Sequence, residues 1–465
     1  MMKTVKVLLL VVSLLVSLSS AAVTLNPKGV GEVLIYPYYS VRNGHNTYYS
    51  IVNSSDQAKA LKLTFHEGLN GTDMLSFNVY LAPFDVWSGV LTAVDSTHAG
   101  HEGEPSVEHV TVDQSCSPFL YITGQEFLPY SIDPSDTNQS MERSTHGYLV
   151  VYELGVVTGA SAAAMEPDNT GVPANCDALS DAWSSGYWFN DPNTDINDPT
   201  GGLYGSAMIL NITGGYSMGL DAVALDDFWQ GPGMHTDPGL PIPNLSHAAP
   251  VSVVSGPSGL VSLPWEEGID AVSAVMMNKT MISQYDVNTL LSGLTEWVIT
   301  YPTKSFYTNQ PATPQLPFTD SWDGTSACEA LAIAWYANNT LAQPSLGADV
   351  CHAVNFIEVL PEGEAAGNQS RLLGANDFTT LNTIDAQGEG YHGWIQATNS
   401  NTNNLVNDND TILAGLPGIG LVAKKYTNSS AANGLLAVYA DFVKPTTKTT
   451  QASDFIFADG FESIP

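Results

Sequence analysis

The sequence predicts an all-β protein: an antiparallel β-sandwich architecture, with two packed sandwich-like domains and long irregular insertions. Three observations carry this. Short segments alternate apolar and polar residues with a period of two, the spacing of a strand with one buried face. Turn-forming runs such as "NSSDQ" and "LNGTD" separate them at the short intervals typical of a sandwich. Hydrophobic residues make up 44% of the 465-residue chain, enough for a packed interior and more than one core.

Taken in order, the chain opens with "MMKTVK", an apolar run over residues 7–18 and then "SLSSAAV". A short basic region, an apolar stretch and small residues at the cut describe a secretory signal over residues 1–22. Ser20 and Ala22 suit the two specificity positions, so the mature chain is expected to begin at Val23. A membrane anchor needs roughly 20 apolar residues, more than this run or any later one supplies. The expected location is secreted, extracellular or on the outer cell surface rather than periplasmic.

Residues 23–160 are expected to form an N-terminal β-sandwich from "EVLIYPYYSV", "YYSIVN", "LKLTFHE", "FNVYLAP", "GVLTAV", "EHVTVD" and "GYLVVYELGVV". In "LKLTFHE", Leu61, Leu63 and Phe65 face one way, and Lys62, Thr64 and His66 the other. Residues 161–202 break the alternation and read as an acidic Asp/Asn/Gly-rich insertion, with one short helix capped by Asp177. Strand signals resume over 203–443, a C-terminal β-rich domain, at "AMILNIT", "VSAVMM", "EWVITYP", "ALAIAWYAN", "NFIEVL", "GYHGWIQATN", "GIGLVAKKY" and "GLLAVYADFV". Residues 444–465 read as a flexible linker and C-terminal tail.

Charge excludes whole classes of partner. Against 47 acidic residues stand only 14 basic ones, for a formal charge of −33. Nucleic acid and anionic lipid are gripped by clustered Lys and Arg, so neither is an expected partner. A cell-surface or extracellular protein or glycan fits the composition better. The four cysteines, Cys116, Cys176, Cys328 and Cys351, suit two disulfides in an exported chain. The pairs Cys116–Cys176 and Cys328–Cys351 are favoured because each closes a loop within one half of the chain.

The segments "LNPKGVGEVLIYPYYSV", "YLAPFDVWSG", "HGYLVVYELG" and "TEWVITYPTKSFY", with the closing "GLPGIGLVAKKY", resemble an uncharacterised family of exported proteobacterial proteins. The resemblance covers most of the mature chain and implies a bacterial origin, without an activity. The final "IFADGFE" resembles a short tail at the ends of otherwise unrelated exported bacterial proteins. By that analogy it implies sorting or surface retention.

Candidate chemistry is sparse. "NDPNTDINDP" places Asp191, Asn193, Asp195, Asn197 and Asp198 in one loop, and calcium seeks six to eight such oxygens. An EF-hand is excluded, because its sixth position requires Gly and its twelfth Glu, where Ile196 and Gly202 stand. What remains is an oxygen-rich candidate calcium loop, set against a hydrated Asx-turn. Asp408 and Asp410 make a weaker candidate. His98, His101 and His109, among Glu102, Glu104 and Glu108, match no metal signature.

"GGYSMG" contains G-x-S-x-G at Gly215, Ser217 and Gly219, after an apolar strand signal. A nucleophile elbow needs strand, strained turn and helix in that order, with a base such as His352 or His392 and an orienting acid such as Asp385. A glycine-rich hairpin explains the same six residues. The aromatic clusters "YPYYS", "YYSI", "SSGYWF" and "FWQ" would suit stacking on sugars, though strands and cores also collect aromatics. The expectation is therefore an exported, non-catalytic structural or binding protein of the cell envelope or extracellular space, with calcium as a candidate stabilising ion. The alternatives are a serine hydrolase centred on Ser217 and a carbohydrate-binding protein.

Overall fold

A computed structural model describes residues 21–448, apart from 257–258, 310–313, 338–339, 362, 384–390, 408 and 432–434. It is an all-β protein, 47% strand and 12% helix, with antiparallel sheets packed face to face. Both disulfides, Cys116–Cys176 and Cys328–Cys351, are present as expected.

The first sandwich is built from two seven-stranded sheets, each with a two-residue strand off its main order: Ile196–Asn197 beside His146–Val157 in one, and Val30–Gly31 beside Leu203–Asn211 in the other. One runs Thr24–Leu25, Val223–Asp226, Val33–Ser40, His146–Val157, Ala58–Glu67, Asp73–Leu81. The other runs Tyr216–Asp221, Leu203–Asn211, His45–Asn53, Val86–Asp95, Pro105–Val110, Gln125–Glu126. Between them lie the inward side chains of the alternating segments: Leu61, Leu63 and Phe65 face Ile51, Trp87 and Leu91, and all six are buried. Pro37 sits inside Val33–Ser40, where its missing N–H cannot complete the ladder, and the pairing with His146–Val157 slips beside it.

The second sandwich packs Thr340–Val350, Glu329–Ala337, His392–Asn399, Thr280–Asp286 and Thr446–Lys448 in one sheet. Its other sheet runs Thr379–Thr383, Val354–Pro361, Leu294–Thr300, Ile419–Ala431, Leu435–Val443, with one parallel pair at Val354–Pro361/Thr379–Thr383. A single apolar core runs through both sandwiches, from Val33 to Phe442. Thr300 Oγ1 donates to Pro37 O at 2.6 Å, and the amides of Ala353 and Val354 donate to Leu69 O and Gly68 O.

Four expectations need correction. The strands Leu203–Asn211, Tyr216–Asp221 and Val223–Asp226 complete the first sandwich, so a boundary at 203 falls inside it. Leu203–Asn211 pairs antiparallel with His45–Asn53, a partner far away in sequence that local alternation cannot reveal. "VSAVMM" is the body of a helix, Gly268–Met276, not a strand. The short insertion helix, Cys176–Ser184, is capped by Asn175, whose Oδ1 accepts from Ala178 N, and Asp177 lies in its first turn. Thr446–Lys448 pairs with Thr280–Ile282 as a short strand, so the expected linker begins as sheet. Residues 1–20 of the expected signal segment, Asp385, Asp408 and the tail from residue 449 lie outside the described residues.

The 161–202 insertion is a cover. Lys62, Thr64 and Asn78 point out of the first sheet yet are buried, because the helices and the loop 227–250 lie over them. Trp188 stacks on Tyr80 with centroids 5.2 Å apart, and Trp183 Nε1 donates to Tyr80 Oη. The Lys62 ammonium donates to Asp237 O and Leu240 O, and burial brings its pKa down to about 7.

Candidate functional site

The sequence candidates are not brought together. Ser217 lies within the strand Tyr216–Asp221, paired opposite Leu210 in a hairpin with Leu203–Asn211. A nucleophile elbow needs a helix after the serine and a strained turn at it, and here the chain continues as strand. The positive φ falls on Gly215, in the turn before it. The nearby His45 is committed to Tyr216, its Nε2 lying 2.9 Å from the phenol oxygen. His352 lies elsewhere, between Trp322 and Asp377, and His392 opens a strand of the second sandwich.

The oxygen-rich loop is a set of local caps. Asp195, at φ 60°, turns its carboxylate onto the helix Gly159–Met165, where Oδ2 accepts from Ser161 N and Oγ. Thr158, the N-cap residue, makes no side-chain cap bond, so Asp195 supplies from another segment the acceptor that the helix start lacks. Asp191 Oδ1 accepts from Asn193 N in an Asx-turn, while Asn197 and Asp198 are exposed. Among the described residues, no three His, Cys, Asp or Glu side chains converge to hold a metal ion.

The histidine cluster disperses in the same way. His109 is in the core, 2.7 Å from Tyr49 Oη, and burial pulls its pKa down to about 3. His98 pairs with Phe127 O, and His101 with Glu104. The aromatic clusters divide between core and surface. Tyr36, Tyr38, Tyr39, Trp188, Phe228 and Trp229 are buried, whereas Phe189 and Tyr48 are exposed. Trp188 is core packing.

Two features emerge that sequence reasoning missed. The first is a cleft of about 260 Å³ between the sandwiches, bordered by Arg42, Glu142, Arg143, His146, Trp322, His352, Phe356 and Asp377. The hairpin tip at Arg42–Asn43 enters it, and Asn43 Nδ2 donates to Leu372 O at 3.0 Å. Arg143 is wholly buried and knots the floor: Nη1 donates to Asp136 and Asn138 O, and Nη2 to Glu67 and Asn70. Burial acts to lower its pKa, but Glu67 and Asp136 outweigh that and hold the guanidinium above its ordinary value. Burial lowers His146 well below the usual histidine range, and Arg42 and His352 push it the same way.

The second is the outward face of the second sheet in the first sandwich. Cross-strand register lines up Met208, Tyr48, Val90 and Val110 in one row. Tyr204, Val52 and Val86 make another, and between the two runs a row of hydroxyls, Ser206, Ser50 and Ser88. The outward positions of His45–Asn53, Val86–Val94 and Leu203–Leu210 carry no charge, and Glu108 and Asp221 mark the margins.

No protein-family model, curated protein or solved structure matches the chain.

Proposed function

We propose that this chain is an exported, non-catalytic structural component of the cell envelope or extracellular space, and that a second copy docks on the uncharged sheet face. The face itself carries this reading. At a net charge of −33 two copies repel each other over most of their surfaces, and a charge-free apolar face is where approach costs least. Three uncharged strands about 4.8 Å apart and about 30 Å long offer roughly 430 Å² per copy, or about 860 Å² in all. That is below the size of standard specific interfaces and in the range of weak, transient contacts, so the association is weak and reversible.

Two disulfides are compatible with a place outside the cytoplasm, and among the described residues no helix is long and apolar enough to cross a membrane. The segment over residues 1–22 supports export. Placing Ser217 in mid-hairpin removes the main support for a hydrolase.

Sedimentation velocity over a concentration series tests the reading. Dimerisation should strengthen as salt is raised from about 0.05 to about 0.5 M, because screening relieves the like-charge repulsion. Tyr48→Glu should abolish it. A protein that stays monomeric at every concentration and salt, or associates equally well with Tyr48→Glu, would sink the proposal.

A further inference from the structure

The chain has three arginines, and two of them border the inter-sandwich cleft. Arg371 pairs with Glu358 and Glu364, and Arg143 with Glu67 and Asp136. Of the three, Arg42 alone has no carboxylate partner among the described residues. Its Nε donates to Thr145 Oγ1 at 2.6 Å and its Nη2 reaches Glu142 O at 3.4 Å, which leaves Nη1 without a protein acceptor. Part-exposed at the cleft, this guanidinium offers the planar fork that suits carboxylate oxygens.

Behind the cleft wall two buried atoms lack hydrogen-bond partners, Arg143 Nε, on a side chain 0% exposed, and His146 Nδ1. Orphaned buried polar atoms are rare, because each forfeits the hydrogen bonds it made in water.

We infer that the cleft is a binding site for a small monocarboxylate, held by Arg42 with its body against Trp322 and Phe356. The charges around the cleft favour one negative charge over two. Arg143 answers only one of the two charges of Glu67 and Asp136, and Glu142 and Asp377 also face the space, so four carboxylates stand against two guanidiniums and a dianion would be repelled more strongly than a monoanion. Asn376 Nδ2 donates to Glu142 Oε1, which turns part of that carboxylate's charge away from a ligand. A volume of about 260 Å³ lies just below the usual range for drug-sized ligands, so the occupant is small. The site is separate from the sheet face and stands whether or not the protein dimerises.

The test is thermal and calorimetric, on the intact mature chain at constant ionic strength. The probes are D-glucuronate, L-lactate and L-phenylalanine, with glucose and sulfate as controls. A carboxylate at about ten times a millimolar dissociation constant should raise the melting temperature by roughly 1–3 °C, and the controls should not. Arg42→Gln should lose that ligand-induced rise, measured from the variant's own unliganded melting temperature. Asp377→Asn, at an exposed carboxylate on the rim, should enlarge it. A wild-type protein indifferent to all three carboxylates, or a full response in Arg42→Gln, would overturn the assignment.

Discussion

Replacing Glu153 with alanine should destabilise the first sandwich more than any surface change. Its carboxylate meets Lys59 Nζ at 2.6 Å with both side chains 0% exposed, and it accepts from Thr200 N at 3.0 Å and Gly201 N at 2.8 Å. In Glu153→Ala the Lys59 ammonium keeps only the Thr200 hydroxyl, and breaking a buried pair this way costs about 3–5 kcal/mol. Two backbone donors lose their acceptor as well, each worth about 1 kcal/mol. The single variant should therefore lose roughly 5–7 kcal/mol. Removing both charges in Lys59→Met/Glu153→Leu leaves no stranded ion, and should fall within about 2 kcal/mol of wild type. Urea unfolding of wild type, both singles and the double closes the cycle, and hydrogen exchange at Thr200 and Gly201 shows whether the return strand loosens. A Glu153→Ala cost below about 1 kcal/mol, or a double as unstable as the single, would refute the reasoning.

Three other outcomes follow from buried groups and crosslinks. Burial raises Glu296 to a pKa of about 7, against hydrogen bonds from the Leu372 and Leu373 amides that act to lower it. A raised carboxyl stabilises fully below its unfolded value near 4.5 and loses that contribution as pH rises through 7. The stability of Glu296→Gln relative to wild type should thus climb by up to about 3 kcal/mol between those limits, and a pH-independent difference would contradict this. Because Asp195 caps a helix, Asp195→Ala should cost about 1 kcal/mol, with EDTA leaving both melting curves unchanged; a fall on chelation would restore the calcium reading. Loop entropy predicts that Cys116→Ser/Cys176→Ser, at a separation of 60, costs about 4 kcal/mol and the pair at a separation of 23 about 3 kcal/mol; chemical denaturation that reverses this order would count against it.

The strands were legible because their signal is local. Leu61, Leu63 and Phe65 alternate within five residues, and the pleat turns that alternation into one buried face. What lies on the opposite face was not legible. Lys62 and Thr64 read as solvent-facing, but the carbonyls and rings that cover them come from segments more than a hundred residues away. "VSAVMM" misled because Val and Met also suit a strand. The helical signal needed the residues just before it, because Ile269, Val272 and Met276 recur at helical spacing with Asp270 in the first turn.

Ser217 and the oxygen-rich loop fitted motifs without the surrounding geometry those motifs need. The cleft left no contiguous motif, because Arg42, Arg143 and His352 meet only when two sandwiches pack. Its one trace in the sequence was scarcity, three arginines in an acidic chain, two of which the fold brings to the cleft.

The claim that most needs testing is that this acidic chain meets its own kind through the uncharged rows of the first sandwich. Hydroxyl-radical footprinting of dilute and concentrated protein tests it directly. The prediction is slower oxidation of Met208 and Tyr48 at high concentration, with no change at Tyr130 and Phe119, which are 80% and 56% exposed elsewhere on the surface. Unchanged oxidation of Met208 and Tyr48, or protection spread evenly over all four, would contradict it.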